Sequence, residues 1–296
     1  MKLHILIDNL PNQYNPNILY EHGLCMLLQT DENKNYLIDT GACGKFIENL
    51  ETLRQTDSSL PTVEEIDAVI ISHGHNDHTG GLRSFFGANT KAQVYLHSSI
   101  QGNWFFSCRP KNNIREARSI GMEQSLFAEY GDRFVHISEP IAITGNITLI
   151  PMEDYDVTHP MPLGNRYLFK NDFPDDFSHE IAILVESTPQ QFAVISPCSH
   201  HGILNIINSL PIRTSSQGAQ IRYFIGGLHY VDYLSEEDAK KEAAQIVQAA
   251  KYIKDHYPNL KVFSGHCTGS AARDVLQDAL KEKYTHFYAG TTIELK

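Results

Sequence analysis

His73-Gly74-His75-Asn76-Asp77-His78 places three imidazoles and a carboxylate within six residues, and this density of metal-binding groups decides how the chain is read. Near pH 7 an imidazole is largely neutral and a carboxylate is ionised. These are the forms that bind a divalent ion, so the stretch offers four ligands with no shifted pKa. Gly74 lets the backbone bend between the first two histidines, and Asp77 and His78 fall near the start of a helix, aimed at a second position. The spacing suits two adjacent ions. A solvated histidine-rich loop is the plain alternative in a chain with 15 histidines, but the flanks disfavour it. Ile66-Asp67-Ala68-Val69-Ile70-Ile71 is rich in β-branched residues and reads as a buried strand, and Thr79-Gly80-Gly81-Leu82 follows as a tight turn into a helix. The ligands therefore stand at the carboxyl end of a strand.

An earlier apolar strand, Tyr36-Leu37-Ile38, runs into Asp39-Thr40-Gly41. A strand ending in Asp-x-Gly, followed by a second strand ending in H-x-H-x-D-H, resembles the metallo-β-lactamase-fold superfamily. The resemblance implies a role for Asp39: it holds a metal-binding histidine in place by a hydrogen bond from behind. An aspartate that simply starts the turn before Gly41 is compatible with that role.

At 296 residues, 42% apolar and 20% charged, the chain has room for one large α/β domain or two small ones. A net charge of −11 argues against a nucleic-acid surface, which needs a basic face. Cys25, Cys43, Cys108, Cys198 and Cys267 are odd in number, widely spaced and without a C-x-x-C pair. That disfavours a disulfide framework and favours a reducing cytoplasm. The apolar run after Met1 is too short for a signal peptide, and no stretch approaches membrane-spanning length. The expected partner is a small-molecule substrate, with no nucleic acid and no membrane; an oligomer is left open.

Strands are expected at residues 3–7, 23–29, 35–38, 93–97, 147–150, 181–186, 192–196 and 221–225, with helices at 45–55, 202–209, 235–256 and 269–281. This tally suits two sheets between helical layers. Residues 98–176 break the regularity. They hold Trp104, Phe105-Phe106, a basic run (Arg109, Lys111, Arg115, Arg118) and a proline-spaced stretch from Pro151 to Pro174. They read as an insertion or lid over the site within a single domain spanning 1–296. Arginines beside aromatics suit an anionic, ring-bearing ligand, with Arg115 and Arg118 as its contacts. An ordinary surface helix with Glu116 pairing the arginines is the competing reading.

Two ions need more ligands than one hexapeptide supplies, and three later turns offer them, each after an apolar strand: Pro197-Cys198-Ser199-His200-His201-Gly202, Gly226-Gly227-Leu228-His229 and Gly265-His266-Cys267-Thr268-Gly269. Three strand-end histidines in a chain that already carries H-x-H-x-D-H point to one convergent site. Together with Glu21-His22-Gly23-Leu24 these turns resemble the branch named for 7,8-dihydropterin-6-methyl-4-(β-D-ribofuranosyl)aminobenzene 5′-phosphate synthase, with its E-H-G-L, G-C-S-H-x-G-I-x-N, G-G-x-H and G-H-C-T-G motifs. The likeness runs from Glu21 to Gly269. It departs at Pro197, where the branch has glycine, and proline fixes φ and removes an N–H.

The resemblance implies an α/β four-layer αββα sandwich. The expected ligands are His73, His75 and His200 for one ion and Asp77, His78 and His266 for the other. Cys198 rivals His200, and His179 is a further candidate. His22 and His229 are placed near substrate, with Asp77 and His229 as catalytic groups. Two divalent ions are expected, zinc first, with manganese or iron as alternatives. Such a pair activates water and polarises a phosphoryl group, so a metal-dependent hydrolase acting on a small anionic, phosphorylated substrate is the leading reading. The branch name implies an alternative, a transferase that displaces pyrophosphate from a pterin diphosphate. A di-iron redox protein and a metal-stabilised binding module rank lower.

Overall fold

The computed structural model describes residues 1–109, 116–152, 157–210 and 220–296. They gather into two compact units, one of Met1–Ser138, Leu168–Pro174 and Tyr288–Leu295, the other of Glu139–Tyr167, Asp175–Phe287 and Lys296. Arg115 lies outside the described residues.

Each unit is built on a seven-stranded mixed sheet. In the first, the order is Thr292–Glu294, Lys2–Ile7, Cys25–Gln29, Asn35–Ile38, Ala68–Ile70, Gln93–His97, Phe134–Ile137. Pairing is antiparallel as far as Asn35–Ile38 and parallel from there on. The central parallel strand Ala68–Ile70 is apolar and buried throughout, as a strand covered on both faces must be, while Gln93–His97 and Phe134–Ile137 carry polar residues at their exposed positions. Their core contains Leu37, Val69, Val94, Phe85 and Phe134. A small antiparallel sheet of Phe173–Pro174, Leu168–Lys170, Phe105–Ser107 and Arg118–Ser119 belongs to the same unit.

The second sheet repeats the plan, in the order Tyr284–His286, Lys261–Ser264, Gln220–Ile225, Gln191–Ile195, Ile181–Thr188, Ile147–Pro151, Ile141–Ala142. Its first four strands are parallel and the remainder antiparallel. Helices Ile203–Ser209, Glu236–His256 and Ser270–Leu280 cover it, burying Ile206, Ile246, Ile253 and Leu276 against Val194, Phe224 and Val262. The long helix starts where the chain supplies a cap: Ser235 Oγ accepts the Asp238 N–H at 3.2 Å, and Glu236 and Glu237 sit in the first turn beside the positive end of the dipole.

The expected elements fall within one or two residues of those observed, the Ile66–Ile71 strand included, which spans Ala68–Ile70. The region 98–176 differs more. It contributes strands to both units, and Arg118 pairs with Ser107 in the small sheet and is not on a helix. No helix among the described residues is long and apolar enough to cross a membrane.

Candidate metal centre

The hexapeptide leaves the parallel strand Ala68–Ile70 and enters a short helix, Asn76–Thr79, capped at His75. Its backbone is tied down on both sides. Met122 N–H donates to Gly74 O at 2.9 Å and Asn76 N–H to Ile120 O at 2.6 Å, while Leu24 N–H reaches Asp77 O at 3.2 Å and Thr40 N–H reaches His78 O at 2.7 Å. Gly74 serves a purpose other than bending: a β-carbon there would lie 2.7 Å from Phe105 Cε2, so its hydrogen admits the ring.

Asp39 stands behind this turn, fully buried and with φ of 56°, a backbone state that aspartate tolerates better than most side chains. Its carboxylate can only accept, which fixes the protons around it. His78 Nδ1–H donates to Oδ2 at 2.7 Å and Ser72 O–H donates to the same oxygen at 2.7 Å. Ser72 has spent its one proton, so its oxygen must accept from His73 Nδ1–H at 2.9 Å. Both histidines are therefore held in the tautomer whose lone pair is on Nε2. His73 Nε2 faces His75 Nδ1 at 3.1 Å. Two imidazole nitrogens bound at about 2.0–2.1 Å to one tetrahedral ion stand roughly 3.3 Å apart, so the pair fits a shared metal. His22 Nε2 lies 3.4 Å from Asp77 Oδ2. Glu21 accepts the N–H groups of Ala42 and Cys43 at 2.9 and 3.1 Å, so the E-H-G-L stretch holds the loop after Asp39 as well as presenting His22.

The second unit supplies its donors from three turns at the carboxyl ends of adjacent parallel strands. Ser199, His229 and His266 have φ of 54°, 49° and 50°. Such left-handed non-glycine residues cost about 1–3 kcal/mol each and persist where surrounding contacts over-determine them. Those contacts are visible. Leu228 N–H donates to Thr268 Oγ1 at 3.0 Å and His229 N–H to Cys267 Sγ at 3.2 Å, which ties the Gly226–His229 turn to the His266–Gly269 turn. Asp232 caps the helix Ser270–Leu280 through Ser270 N–H at 2.8 Å.

His200 is fixed from four sides. Its Nδ1–H donates to Asn165 Oδ1 at 3.0 Å, Asn165 Nδ2 donates back to its carbonyl at 2.7 Å, its N–H donates to Glu180 Oε1 at 2.8 Å, and its ring stacks on Phe177 at 4.2 Å. Nε2 again carries the lone pair. Glu180 also accepts His201 Nδ1–H at 2.5 Å. Burial alone would raise the Glu180 carboxyl, but the His201 bond and charge and the two N–H groups outweigh it and hold the group below its usual range. His179 Nε2–H donates to Asp175 at 3.1 and 3.2 Å.

Cys198, His200 and His229 each offer an atom within 4.8 Å of the others, as do Cys198, His266 and Cys267, so these residues are clusters able to hold a metal ion. His229 Nε2 is buried with no hydrogen-bond partner among the described residues, the state expected of a nitrogen kept for a ligand. For Cys267, burial works to raise the thiol, but the Cys198 contact, the His266 charge and the His229 hydrogen bond prevail and hold it well below the ordinary thiol range.

The metallo-β-lactamase superfamily model matches residues 20–105, the segment with Asp39 and the hexapeptide. The chain is 26% identical to the 7,8-dihydropterin-6-methyl-4-(β-D-ribofuranosyl)-aminobenzene-5′-phosphate synthase of Methanocaldococcus jannaschii, over 99% of this chain and 96% of that protein. A crystal structure described as a metal-dependent hydrolase of the β-lactamase superfamily superposes with a TM-score of 0.71, at 23% identity, over 100% of this chain and 99% of the other. A diphosphatase of the PhnP family gives 0.51 at 15% identity, over 100% and 98%. The chain is a metallo-β-lactamase-fold protein, related to the synthase branch. It is an α/β sandwich with mixed sheets flanked by helices, as that fold requires.

Motif reading missed Ser72, Asn165, Asp175, Phe177 and Glu180. Glu180 adjoins His179 at the start of a strand, which was a usable signal. Asn165 lies in the short 3-10 helix Leu163–Tyr167, whose sequence carries none. Asn205, the last residue of the G-I-L-N stretch, accepts the Thr158 and His159 N–H groups at 3.1 and 2.9 Å and donates to His201 O at 2.8 Å, which gives that asparagine a structural role.

Proposed function

We propose that this chain is a dinuclear metal-dependent hydrolase of a small anionic, phosphorylated substrate. His73, His75 and His200 are assigned to one divalent ion and Asp77, His78 and His266 to the other. The observation that carries the reading is the pinning of histidine tautomers. Asp39, Ser72 and Asn165 accept hydrogen bonds from the Nδ1–H of His78, His73 and His200, so each imidazole carries its lone pair on Nε2, the atom assigned to an ion. Nitrogen and carboxylate donors in buried surroundings suit zinc, with manganese and iron as the alternatives. Bound ions would supply a water of lowered pKa and draw electrons from a phosphoryl group.

The chain's own residues do the rest. His229, with its buried Nε2, orients the phosphoryl oxygens or moves a proton to the leaving oxygen, and His22 is placed beside Asp77 to meet the substrate. Arg118 and Arg115 are proposed to receive the anionic end, in an insertion spanning about 98–176. A reducing cytoplasm is the proposed compartment, on the cysteine spacing.

The likeness to the M. jannaschii synthase along 99% of the chain favours one second reading, a pterin-type transferase that displaces pyrophosphate. Elemental analysis of protein purified without added metal, followed by turnover on phosphodiester, pyrophosphate and pterin diphosphate substrates, tests both. Two ions per chain and cleavage by water are expected. Pyrophosphate release that depends on an aromatic ribosyl phosphate acceptor would select the transferase, and a chain that binds no metal would end both readings.

A further inference from the structure

The second unit holds two sulfurs that the ligand assignment above does not use. Cys198 Sγ and Cys267 Sγ are 3.4 Å apart, one in the turn after Gln191–Ile195 and the other in the turn after Lys261–Ser264. The strand between them, Gln220–Ile225, ends in two glycines that make the approach feasible. A β-carbon at Gly227 would lie 2.4 Å from Cys267 Sγ, and one at Gly226 would lie 1.9 Å from Ser196 O. His229 N–H points at Cys267 Sγ from 3.2 Å and supports the sulfur where it stands. The remaining three cysteines are placed otherwise. Cys25 is buried in a strand of the first unit, Cys43 donates its thiol to Glu21 at 2.8 Å, and Cys108 follows a strand of the small sheet.

We propose that Cys198 and Cys267 are a dithiol that hydrogen peroxide oxidises to a disulfide and that a dithiol reductant restores. The sulfurs must close by about 1.4 Å to reach a bond of roughly 2.05 Å, a distance that side-chain rotation covers. Cys267 is the less buried residue of the two, so its sulfur is assigned the first step with the oxidant. Its sulfur attacks one peroxide oxygen, the O–O bond breaks, and water leaves with the thiol proton, giving a sulfenic acid. Cys198 sulfur then attacks Cys267 sulfur, and the hydroxyl departs as a second water with the Cys198 proton. Two thiols lose two electrons and one peroxide gains them. The product ties the turn that carries His200 to the turn that carries His266 and removes both sulfurs as donors, which makes this a site where oxidant bears on the metal-binding turns.

Both turns belong to one unit, and the full-length wild-type chain serves for the test, so the folding of a variant does not enter. Reduced protein, freed of reductant, is treated with hydrogen peroxide, alkylated under denaturing conditions, digested and mapped by mass spectrometry. The expected result is a Cys198–Cys267 linked peptide, a fall from five free thiols to three, and recovery of all five with dithiothreitol. Thiols lost without that link, a link between other cysteines, or five thiols surviving peroxide would each overturn the proposal. Metal content of the untreated chain is measured alongside and reports on the hydrolase reading separately.

Discussion

In the unit that begins the chain, the candidate donors come from one hexapeptide, whereas in the other they come from three turns at the ends of neighbouring parallel strands. The first arrangement is local: once the strand ends and the short helix starts, four side chains are in place. The second exists only when the sheet has its register, and three of its turn residues sit in the left-handed region. The difference separates a binding motif that tolerates substitution as a folded object from one in which binding and folding share the same contacts.

The largest effect expected is on the local motif. Asp77→Ala or His73→Ala should lower turnover by roughly a thousandfold or more, about 4 kcal/mol of transition-state stabilisation, with loss of bound metal and an unchanged circular dichroism spectrum. Full metal occupancy in both variants would remove the hexapeptide from the site. Glycines come next and compare the units by stability. Gly226→Ala puts a β-carbon 1.9 Å from a backbone oxygen at φ +148° and should cost about 3–5 kcal/mol in urea unfolding. Gly74→Ala meets only the end of the Phe105 ring, which can shift, and should cost about 1–3 kcal/mol. Equal costs would erase the contrast.

Removing the groups that hold the tautomers gives a third comparison. Asp39→Asn and Asn165→Leu should each weaken metal affinity by about 10–100-fold in competitive chelator titrations, Asp39→Asn more, because Asp39 serves His78 directly and His73 through Ser72. A larger effect at Asn165 would place the dominant site in the second unit.

Glu242 makes the coupling of folding and function in that unit visible as a pH dependence. Burial raises its carboxyl to about 7 against the Leu163 N–H bond and the His229 charge, which oppose the shift. The folded state therefore holds a proton that the unfolded state has released. The stabilisation is complete below about pH 4.5 and is lost as pH rises towards 7. Glu242→Gln should flatten stability between pH 5 and 8 by on the order of 1–2 kcal/mol, after discounting for solvent screening. A wild-type stability that does not fall over this interval would contradict the assignment. Smallest of all is the arginine segment. Arg118 Nη2 already donates to Arg109 O at 2.8 Å. Replacing Arg115 and Arg118 together should raise KM for phosphorylated substrates about tenfold, roughly 1.4 kcal/mol, with no change in metal content. Unaltered kinetics would return that run to ordinary surface.

The same contrast explains what the sequence could tell. The hexapeptide, Asp39 and the parallel strands were legible because period, β-branching and ligand spacing are local properties. The strand-end histidines of the second unit were legible as candidates, since each follows an apolar run. The groups that hold them were not. Asp175 and Phe177 reach their histidines from a loop and Asn165 from the short 3-10 helix Leu163–Tyr167, whose place is set by the long helix, as where Glu242 accepts the Leu163 N–H at 3.0 Å two residues before Asn165. The competing reading of Arg118 as a surface-helix residue fails because Phe105–Ser107 pairs with Arg118–Ser119, segments whose alternation is too short to register in the sequence.

Asp39 carries one further consequence. A single carboxylate oxygen receives a proton from His78 and, through Ser72, anchors His73, and the proposed assignment sends these two histidines to different ions. The ions then share a mechanical reference point. Whichever loads first orders the common carboxylate for the other, and by reciprocity each raises the affinity of its neighbour by the same factor. Metal uptake should accordingly be cooperative, with a Hill coefficient above one that falls to one in Asp39→Asn, and chains carrying a single ion should be scarce at half loading.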